Sequence, residues 1–436
     1  RMVGVSYKES ASSAAVLLFS YNYDELDNII SIVDHLTNTT YVFEYDENYV
    51  NNNGMPLSLS LPLQKEEFSQ KKCMPYFSGL LPEGSIRNRI SEYLHISESS
   101  TIKFLQALGG ECSGTVSFYN SEDEINSPKQ NWEFSEENYI PFSNENLYTL
   151  IKESKNKPML LGSKDLRLSL AGAQEKISLA YFNDTWHLPK NGAPSTHILK
   201  PTRSGELSTM AQNEFFCMNL AEKLNLPVPT TQILEMEDLS VFVCQRYDRK
   251  FDSERGTIQR IHQEDFCQAL GIMNDIKYQA DGGPSFKDCF NLIQEKFSDK
   301  LEQINIFLKS ILFNYLIGNC DSHGKNFSLM FEASKIKLSP LYDLVSTTVY
   351  PSLTTKMAMK LGSNYEIEKI TRNDFFKQAE IFDIKNRYWL NTIEDFSKNL
   401  MTAFTEVSNM PEFSKCENLI ELLHKQINSR LTVLTS

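Results

Sequence analysis

Apolar and polar positions change their period along the 436 residues, and the changes mark out the elements. Near the start, Val16-Leu17-Leu18-Phe19 is a short apolar run and Thr40-Tyr41-Val42-Phe43-Glu44-Tyr45 alternates, both as strands do. Leu57-Ser58-Leu59-Ser60-Leu61-Pro62-Leu63 alternates in the same way and stops at its proline. Pro75 to Gly84 is rich in turn formers and opens a helical run from Ser85 to Tyr93. Phe104 to Leu108 reads as a helix ended by Gly109-Gly110, and Cys112 to Phe118 as a strand. An acidic, Asn-rich excursion from Ser121 to Glu137 marks a boundary. Asp165 to Ala180 has strand character on both sides of a small-residue centre, so it predicts a loop between strands. Thr196 to Pro201 is a strand, Asn213 to Leu224 has helical periodicity, and Ser240 to Arg249 is an apolar strand that turns polar. From Ile261 the pattern is mostly helical: Gln263 to Leu270, Phe286 to Phe297 and Ile304 to Ile317, with a turn at Asp281-Gly282-Gly283-Pro284. Asp374 to Leu434 repeats apolar residues at three-to-four spacing, as a helical bundle does.

Composition narrows the class. Hydrophobic residues make up 41% and charged residues 23%, the balance of a globular chain long enough for two or three cores. The net charge of −13 argues against this chain wrapping nucleic acid, which requires cationic surface to replace counterions. Eight cysteines are scattered singly, without a Cys-x-x-Cys pair, and read as reduced thiols of a cytoplasmic protein. No stretch approaches the length of a membrane span.

The chemistry concentrates in Ile317-Gly318-Asn319-Cys320-Asp321-Ser322-His323-Gly324-Lys325-Asn326-Phe327. Asp321 and Asn326 are five residues apart, and Asp343 follows in Leu341-Tyr342-Asp343. A kinase catalytic loop needs this order: an Asp to accept the proton of the attacking hydroxyl, an Asn for a metal ion, and a later Asp for metal on the nucleotide phosphates. Alone, Asp321 and Asn326 are as well explained by an Asp-rich turn; Asp343 and the upstream Lys200 tip the reading toward a kinase. Lys200 ends its strand where a lysine pairs phosphate oxygens, although a solvated edge lysine is the plainer account. Glu214, early in the next helix, fits an ion pair to Lys200 or a first-turn carboxylate favoured by the helix dipole. Ala171 to Lys176 has small residues that let backbone amides approach phosphate, yet read alone it is a hairpin without a ligand.

These stretches together resemble the HipA family, the serine/threonine-protein kinase toxins of bacterial type II toxin–antitoxin systems. The resemblance runs collinearly from about residue 40 to at least 365. It is carried by Pro56 to Leu63, Leu80-Leu81-Pro82, Ser169 to Lys176, Thr196 to Lys200, Arg246-Tyr247-Asp248-Arg249, Gln263-Glu264-Asp265, Asp281 to Pro284, Asp321 to Phe327 and Leu341-Tyr342-Asp343. It implies an α+β fold, two-lobed and protein-kinase-like, with a mixed α/β N-terminal lobe and an all-helical C-terminal lobe. The parts would be a HipA-like N-terminal subdomain over residues 1–145, a nucleotide-binding α/β part over 146–258 and a helical lobe with the catalytic loop over 259–436. It further implies ATP and Mg²⁺ as cofactors, Asp321 as catalytic base, and Asn326 and Asp343 as Mg²⁺ ligands. ATP would be held by Ala171, Gly172, Ala173, Gln174, Glu175 and Lys176 over the phosphates, by Lys200, and by a hinge of Gln245, Arg246 and Tyr247. His323, Lys325, Asn326, Tyr342 and Asp343 would complete the ATP site. Gln245 stands where the family often has Glu. Ser169 matches the serine that the family autophosphorylates to switch itself off. The implied partners are a HipB-like helix-turn-helix antitoxin and a protein substrate such as an aminoacyl-tRNA synthetase. Glu380 and Asp383, where basic DNA contacts would be expected, point to DNA binding only through the antitoxin. The alternatives are a small-molecule or lipid kinase of related fold, or a catalytically silent pseudokinase that docks an antitoxin.

Overall fold

The computed structural model describes residues 16–23, 26–35, 40–119, 134–154, 171–172, 174–202, 205–252, 256–332 and 335–436. The chain divides into two compact units that alternate along it: one takes Arg1–Ile198 and Asp248–Asp275, the other Leu199–Tyr247 and Ile276–Ser436.

In the first unit, five antiparallel strands lie in the order Phe68–Ser69, Thr40–Glu44, Leu26–His35, Val16–Tyr23 and Val116–Tyr119. Their register sets Val33 opposite Val42 and Phe19 opposite Phe118. The alternation at 40–45 places Phe43 and Tyr45 in the core, where Phe43 stacks on Phe68 and meets Phe77 edge-on. A second group pairs Ile177–Phe182 with Thr185–Pro189 and the latter with Tyr139–Phe142.

Three expectations change here. Leu57 to Leu63 is a loop with one isolated bridge, Ser58 to Leu61, although Leu57 and Leu61 are fully buried. Side chains replace its ladder partners: Leu57 N–H donates to Tyr45 Oη (2.8 Å), Leu59 N–H to Glu264 Oε1 (2.9 Å), and His262 Nε2 bonds the Leu57 carbonyl (2.8 Å). Pro75 to Gly79 belongs to the helix Gln70–Gly79, not to a turn. Burial of every residue from Cys73 to Gly79 outweighs a proline penalty of about 3 kcal/mol. Gln263 to Asp265 lies in the strand His262–Asp265, and the helix is confined to Phe266–Leu270. Asp265 caps that helix in a capping box with Gln268, which stops it from extending backwards.

The chain enters the second unit within the strand His197–Pro201, which lies beside Leu239–Gln245; that strand pairs antiparallel with Thr231–Met236. The helix Met210–Lys223 packs on the Thr231–Met236 and Leu239–Gln245 pair. Helices Phe286–Lys296, Lys300–Ile317, Arg372–Phe382, Arg387–Ser408 and Glu417–Thr435 form the helical part. The apolar repeat of the tail is visible on Arg387–Ser408, which buries Trp389, Ile393, Phe396, Leu400, Phe404 and Val407 along one face. Among the described residues no helix is long and apolar enough to cross a membrane.

Candidate active site

The helix Lys300–Ile317 stops at Gly318, whose positive φ of 75° allows the chain to turn into the candidate catalytic loop. A side chain there would meet Thr348 Oγ1 at 2.1 Å, so glycine is required by space as well as by conformation. The Gly318 carbonyl accepts from the backbone N–H groups of Thr347 (3.0 Å) and Thr348 (3.2 Å). Arg430, buried on the C-terminal helix, donates to the Leu316 carbonyl (3.3 Å) and places positive charge at the negative end of the helix dipole.

Asn319 then ties three segments together. Its Nδ2 donates to Asn314 Oδ1 (2.8 Å) and to the Asp343 carbonyl (3.2 Å), and its Oδ1 accepts from Asp321 N–H (3.2 Å). The loop closes on itself through His323 N–H to the Asp321 carbonyl and Asn326 N–H to the His323 carbonyl, both 2.9 Å. A single 3-10 turn, Gly324–Asn326, leads into the hairpin Ser328–Glu332 and Lys335–Leu338. The hairpin returns the chain to Tyr342 and Asp343. Tyr342 donates to the Lys325 carbonyl (2.7 Å), and its hydroxyl also bonds Ser328 Oγ (2.6 Å). Asp343 sits at φ 54°, a left-handed conformation that Asp tolerates better than most residues.

Lys200 lies at the centre. Its Nζ donates to Glu214 Oε1 at 2.6 Å and to Asp343 Oδ1. Burial acts to lower the Lys200 pKa, but the Asp343 and Glu214 carboxylates outweigh it and hold the ammonium above its ordinary range. Lys200 and Glu214 are thus a buried ion pair, not a solvated edge lysine and a lone dipole partner. Asn213, the neighbour of Glu214, brackets Ser346 through its Nδ2 to the Ser346 carbonyl (3.0 Å) and its Oδ1 from Ser346 N–H (2.9 Å), which anchors the segment after Asp343. Asn326 Nδ2 lies 3.5 Å from Asp343 Oδ2, and Asn326 Oδ1 is buried with no hydrogen-bond partner. Asp321 is exposed, and Tyr278 Oη donates to its Oδ1 (2.7 Å). His323 is buried, and its pKa is held well below the ordinary value by that burial and then by Lys277 and Lys325.

The second unit therefore brings together Lys200, Glu214, Asp321, His323, Lys325, Asn326, Tyr342 and Asp343. It also holds the hinge candidates: Gln245 is exposed at a strand end, Arg246 is buried, and Tyr247 stacks on Tyr342 with centroids 5.8 Å apart. Ala171, Gly172, Gln174, Glu175 and Lys176 belong to the first unit, where Gly172, at φ 109°, bridges Pro82 and accepts from Glu83 N–H (3.1 Å). Ser169 and Ala173 lie outside the described residues. Sequence reasoning passed over Asn213, Asn319, Tyr278 and Arg430. Adjacency to Glu214 and to the Asp321 loop could have flagged the two asparagines; nothing local marks the other two.

The Asn326 and Asp343 oxygens fit a hard divalent cation. One is a buried amide oxygen without a partner and the other a carboxylate whose side chain is 39% exposed. Among the described residues no group of three or more His, Cys, Asp or Glu could hold a metal. A two-ligand set suits an ion of the Mg²⁺ kind, which draws the rest of its shell from phosphate and water.

Comparison with known proteins agrees with this architecture. The HipA-like C-terminal domain matches residues 168–404 and the HipA N-terminal domain residues 27–119. Y4mE of Sinorhizobium fredii, named as a kinase, is 35% identical over 373 residues, which are 84% of this chain and 88% of that protein. The serine/threonine-protein kinase toxin HipA of Shewanella oneidensis is 28% identical over 382 residues, 85% of each chain. The solved complex of Shewanella oneidensis HipA with HipB and its operator DNA superimposes with a TM-score of 0.80 at 24% identity, over 95% of this chain and 96% of that one. That likeness shows an α+β, kinase-like fold.

Proposed function

The chain belongs to the HipA family of kinases, and on that premise we propose that it is an ATP- and Mg²⁺-dependent serine/threonine-protein kinase, the toxin of a HipA/HipB-like pair. The observation that carries this is Lys200 held between Glu214 and Asp343, with Asn326 beside Asp343 and Asp321 five residues before Asn326. That is the charge arrangement phosphoryl transfer uses: cations on the phosphates and a base at the attacking hydroxyl.

Asp321 takes the proton from the serine or threonine hydroxyl as its oxygen bonds to the γ-phosphorus and the bond to the β-phosphate oxygen breaks. Lys200, freed from sharing Asp343, neutralises α/β-phosphate oxygens, while Glu214 keeps it in place. Asn326 and Asp343 would hold Mg²⁺, which when bound would neutralise phosphate charge. The Tyr247–Tyr342 stack supplies an aromatic surface next to the hinge strand. The phosphate-covering role of 171–176 and the autophosphorylation of Ser169 rest on the family resemblance alone.

The substrate we favour is an aminoacyl-tRNA synthetase or another translation component, which agrees with a cytoplasmic location. A HipB-like antitoxin is the proposed partner, by analogy with the Shewanella complex. Glu380 and Asp383, both exposed at the end of the helix Arg372–Phe382, support DNA contact through the antitoxin rather than through this chain.

Intact-mass analysis tests the reading. Phosphatase-stripped wild type and Asp321→Ala are incubated with ATP, with Mg²⁺ or with EDTA, and phosphosites are mapped. One added phosphate, on Ser169, only in wild type and only with Mg²⁺, is expected. ATP binding without any protein phosphate moves the reading to a small-molecule or lipid kinase. Absence of both phosphate and ATP binding leaves an antitoxin-docking protein.

A further inference from the structure

The turn Asp281-Gly282-Gly283-Pro284 belongs to no catalytic role above, yet its geometry is demanding. Gly282 sits at φ 101°. A Cβ on Gly283 would lie 2.4 Å from the Ile276 carbonyl oxygen and 2.6 Å from the Lys277 carbonyl carbon. The turn is folded tightly back on the two residues that precede Tyr278, and on Tyr278 itself. The Tyr278 carbonyl accepts from Asp281 N–H (3.0 Å) and Gly283 N–H (2.8 Å). The next residue, Gln279, is fastened from outside, because its Oε1 accepts from Lys360 N–H (2.7 Å).

What this frame presents is the Tyr278 side chain. Its hydroxyl donates to Asp321 Oδ1 at 2.7 Å, and its ring meets His323 edge-on with centroids 5.4 Å apart at 82°. Asp321 is exposed, and the bond from Tyr278 helps fix which way its carboxylate faces. Base catalysis depends on one oxygen facing the accepting hydroxyl.

We propose that Tyr278, held by the Asp281–Pro284 turn, is a positioning residue for the catalytic base: it engages Oδ1 of Asp321 and so directs Oδ2 to the hydroxyl that is phosphorylated. The role rests on the kinase reading. Tyr278 acts through Asp321. Its hydrogen bond also favours the ionised carboxylate, the form that can accept a proton. The charges that act on the neighbouring His323 are Lys277, Lys325 and Asp343.

The test measures initial phosphate incorporation into the phosphatase-stripped full chain, against ATP concentration and pH, for wild type, Tyr278→Phe, Gly283→Ala and Asp321→Ala. Tyr278→Phe keeps the ring and loses only the hydroxyl. Its rate at saturating ATP is expected to fall about tenfold, a fraction of what a base supplies, with half-saturating ATP and melting temperature unchanged. The acid limb of its pH profile moves to higher pH. Gly283→Ala, which displaces the Lys277–Tyr278 backbone, shows the same split with a larger fall. A Tyr278→Phe enzyme with wild-type rate and profile overturns the role of Tyr278 while leaving the kinase intact. A loss that appears in half-saturating ATP also overturns it. If wild type is as inactive as Asp321→Ala, the kinase reading itself fails and this role fails with it.

Discussion

Each unit contains a buried cation held by two carboxylates, and the two clusters differ in how completely they are closed. In the first unit, Arg249 pairs with Glu111 (2.5 Å) and Asp248 (2.9 Å) and also donates to the carbonyls of Gly114 and Cys112. The carboxylates are covered in turn: Ser195 Oγ donates to Glu111 and Gly114 N–H to Asp248. The side chains of Arg249, Glu111 and Asp248 are all at most 5% exposed. In the second unit, Lys200 and Glu214 are equally buried, but Asp343 is 39% exposed and the neighbouring Asn326 oxygen has no partner. The closed cluster directs its hydrogen bonds into the fold; its one unpartnered donor, Arg249 Nε, is buried with no solvent-facing carboxylate beside it. The open one retains donors and acceptors on its exposed side, which is where a phosphate and its counterion would bind. Buried charge by itself does not mark a site; incomplete satisfaction beside a solvent-facing carboxylate does.

The largest effect should come from Asp321→Asn, which removes the base but keeps the shape. Phosphoryl transfer is expected to fall by about 10²–10⁴-fold, with the denaturation midpoint unchanged; an unaltered rate would remove Asp321 from the mechanism. Arg249→Met should do the opposite, destabilising by about 3–5 kcal/mol through two stranded carboxylates, as read from urea unfolding, while the folded fraction keeps its ATP affinity. Lys200→Met sharpens the contrast. It should abolish transfer yet cost less stability than Arg249→Met, because one buried carboxylate, Glu214, loses its cation while Asp343 turns to water. Adding Glu214→Leu should restore stability without restoring activity. Equal stability losses for Arg249→Met and Lys200→Met would erase the distinction between closed and open clusters.

Glu264 gives the smallest and most pH-specific effect, because it is a buried acid without a cation. Burial pushes its pKa up to about 8 from 4.5; the Ser58 hydroxyl and Leu59 N–H oppose the rise and Asp265 adds to it. Tyr45 lies close by, and His262, lowered by burial to about 4, is neutral there. The folded chain thus keeps a proton that the unfolded chain releases between those two values. Its contribution is fully present below the ordinary carboxyl pKa and is lost as pH rises through about 8. Glu264→Gln, which preserves an acceptor for Leu59 N–H, should match wild type at about pH 5 and be more stable at about pH 9. A constant difference in denaturant midpoint across that range would contradict the buried-acid account.

Much of this protein is legible in its sequence. Strand and helix types followed from periods of two and of three to four, because burial on one face imposes them locally. Asp321, Asn326 and Asp343 could be singled out because short loops and one hairpin connect them, so spacing constrains geometry. Where the alternation at Leu57 to Leu63 and the turn formers around Pro75 misled, remote groups had overruled local preference: Tyr45, His262 and Glu264 for the first, burial of the helix for the second. Only the tertiary structure decided that Lys200 and Glu214 are a buried pair, since an edge lysine and a first-turn glutamate read identically in sequence. It alone joined Arg430 to the end of the helix before the catalytic loop, Asn213 to Ser346, and Tyr278 to Asp321. A buried donor needs an acceptor, but packing across the core selects which one, and no periodicity along the chain encodes a partner more than forty or a hundred residues away.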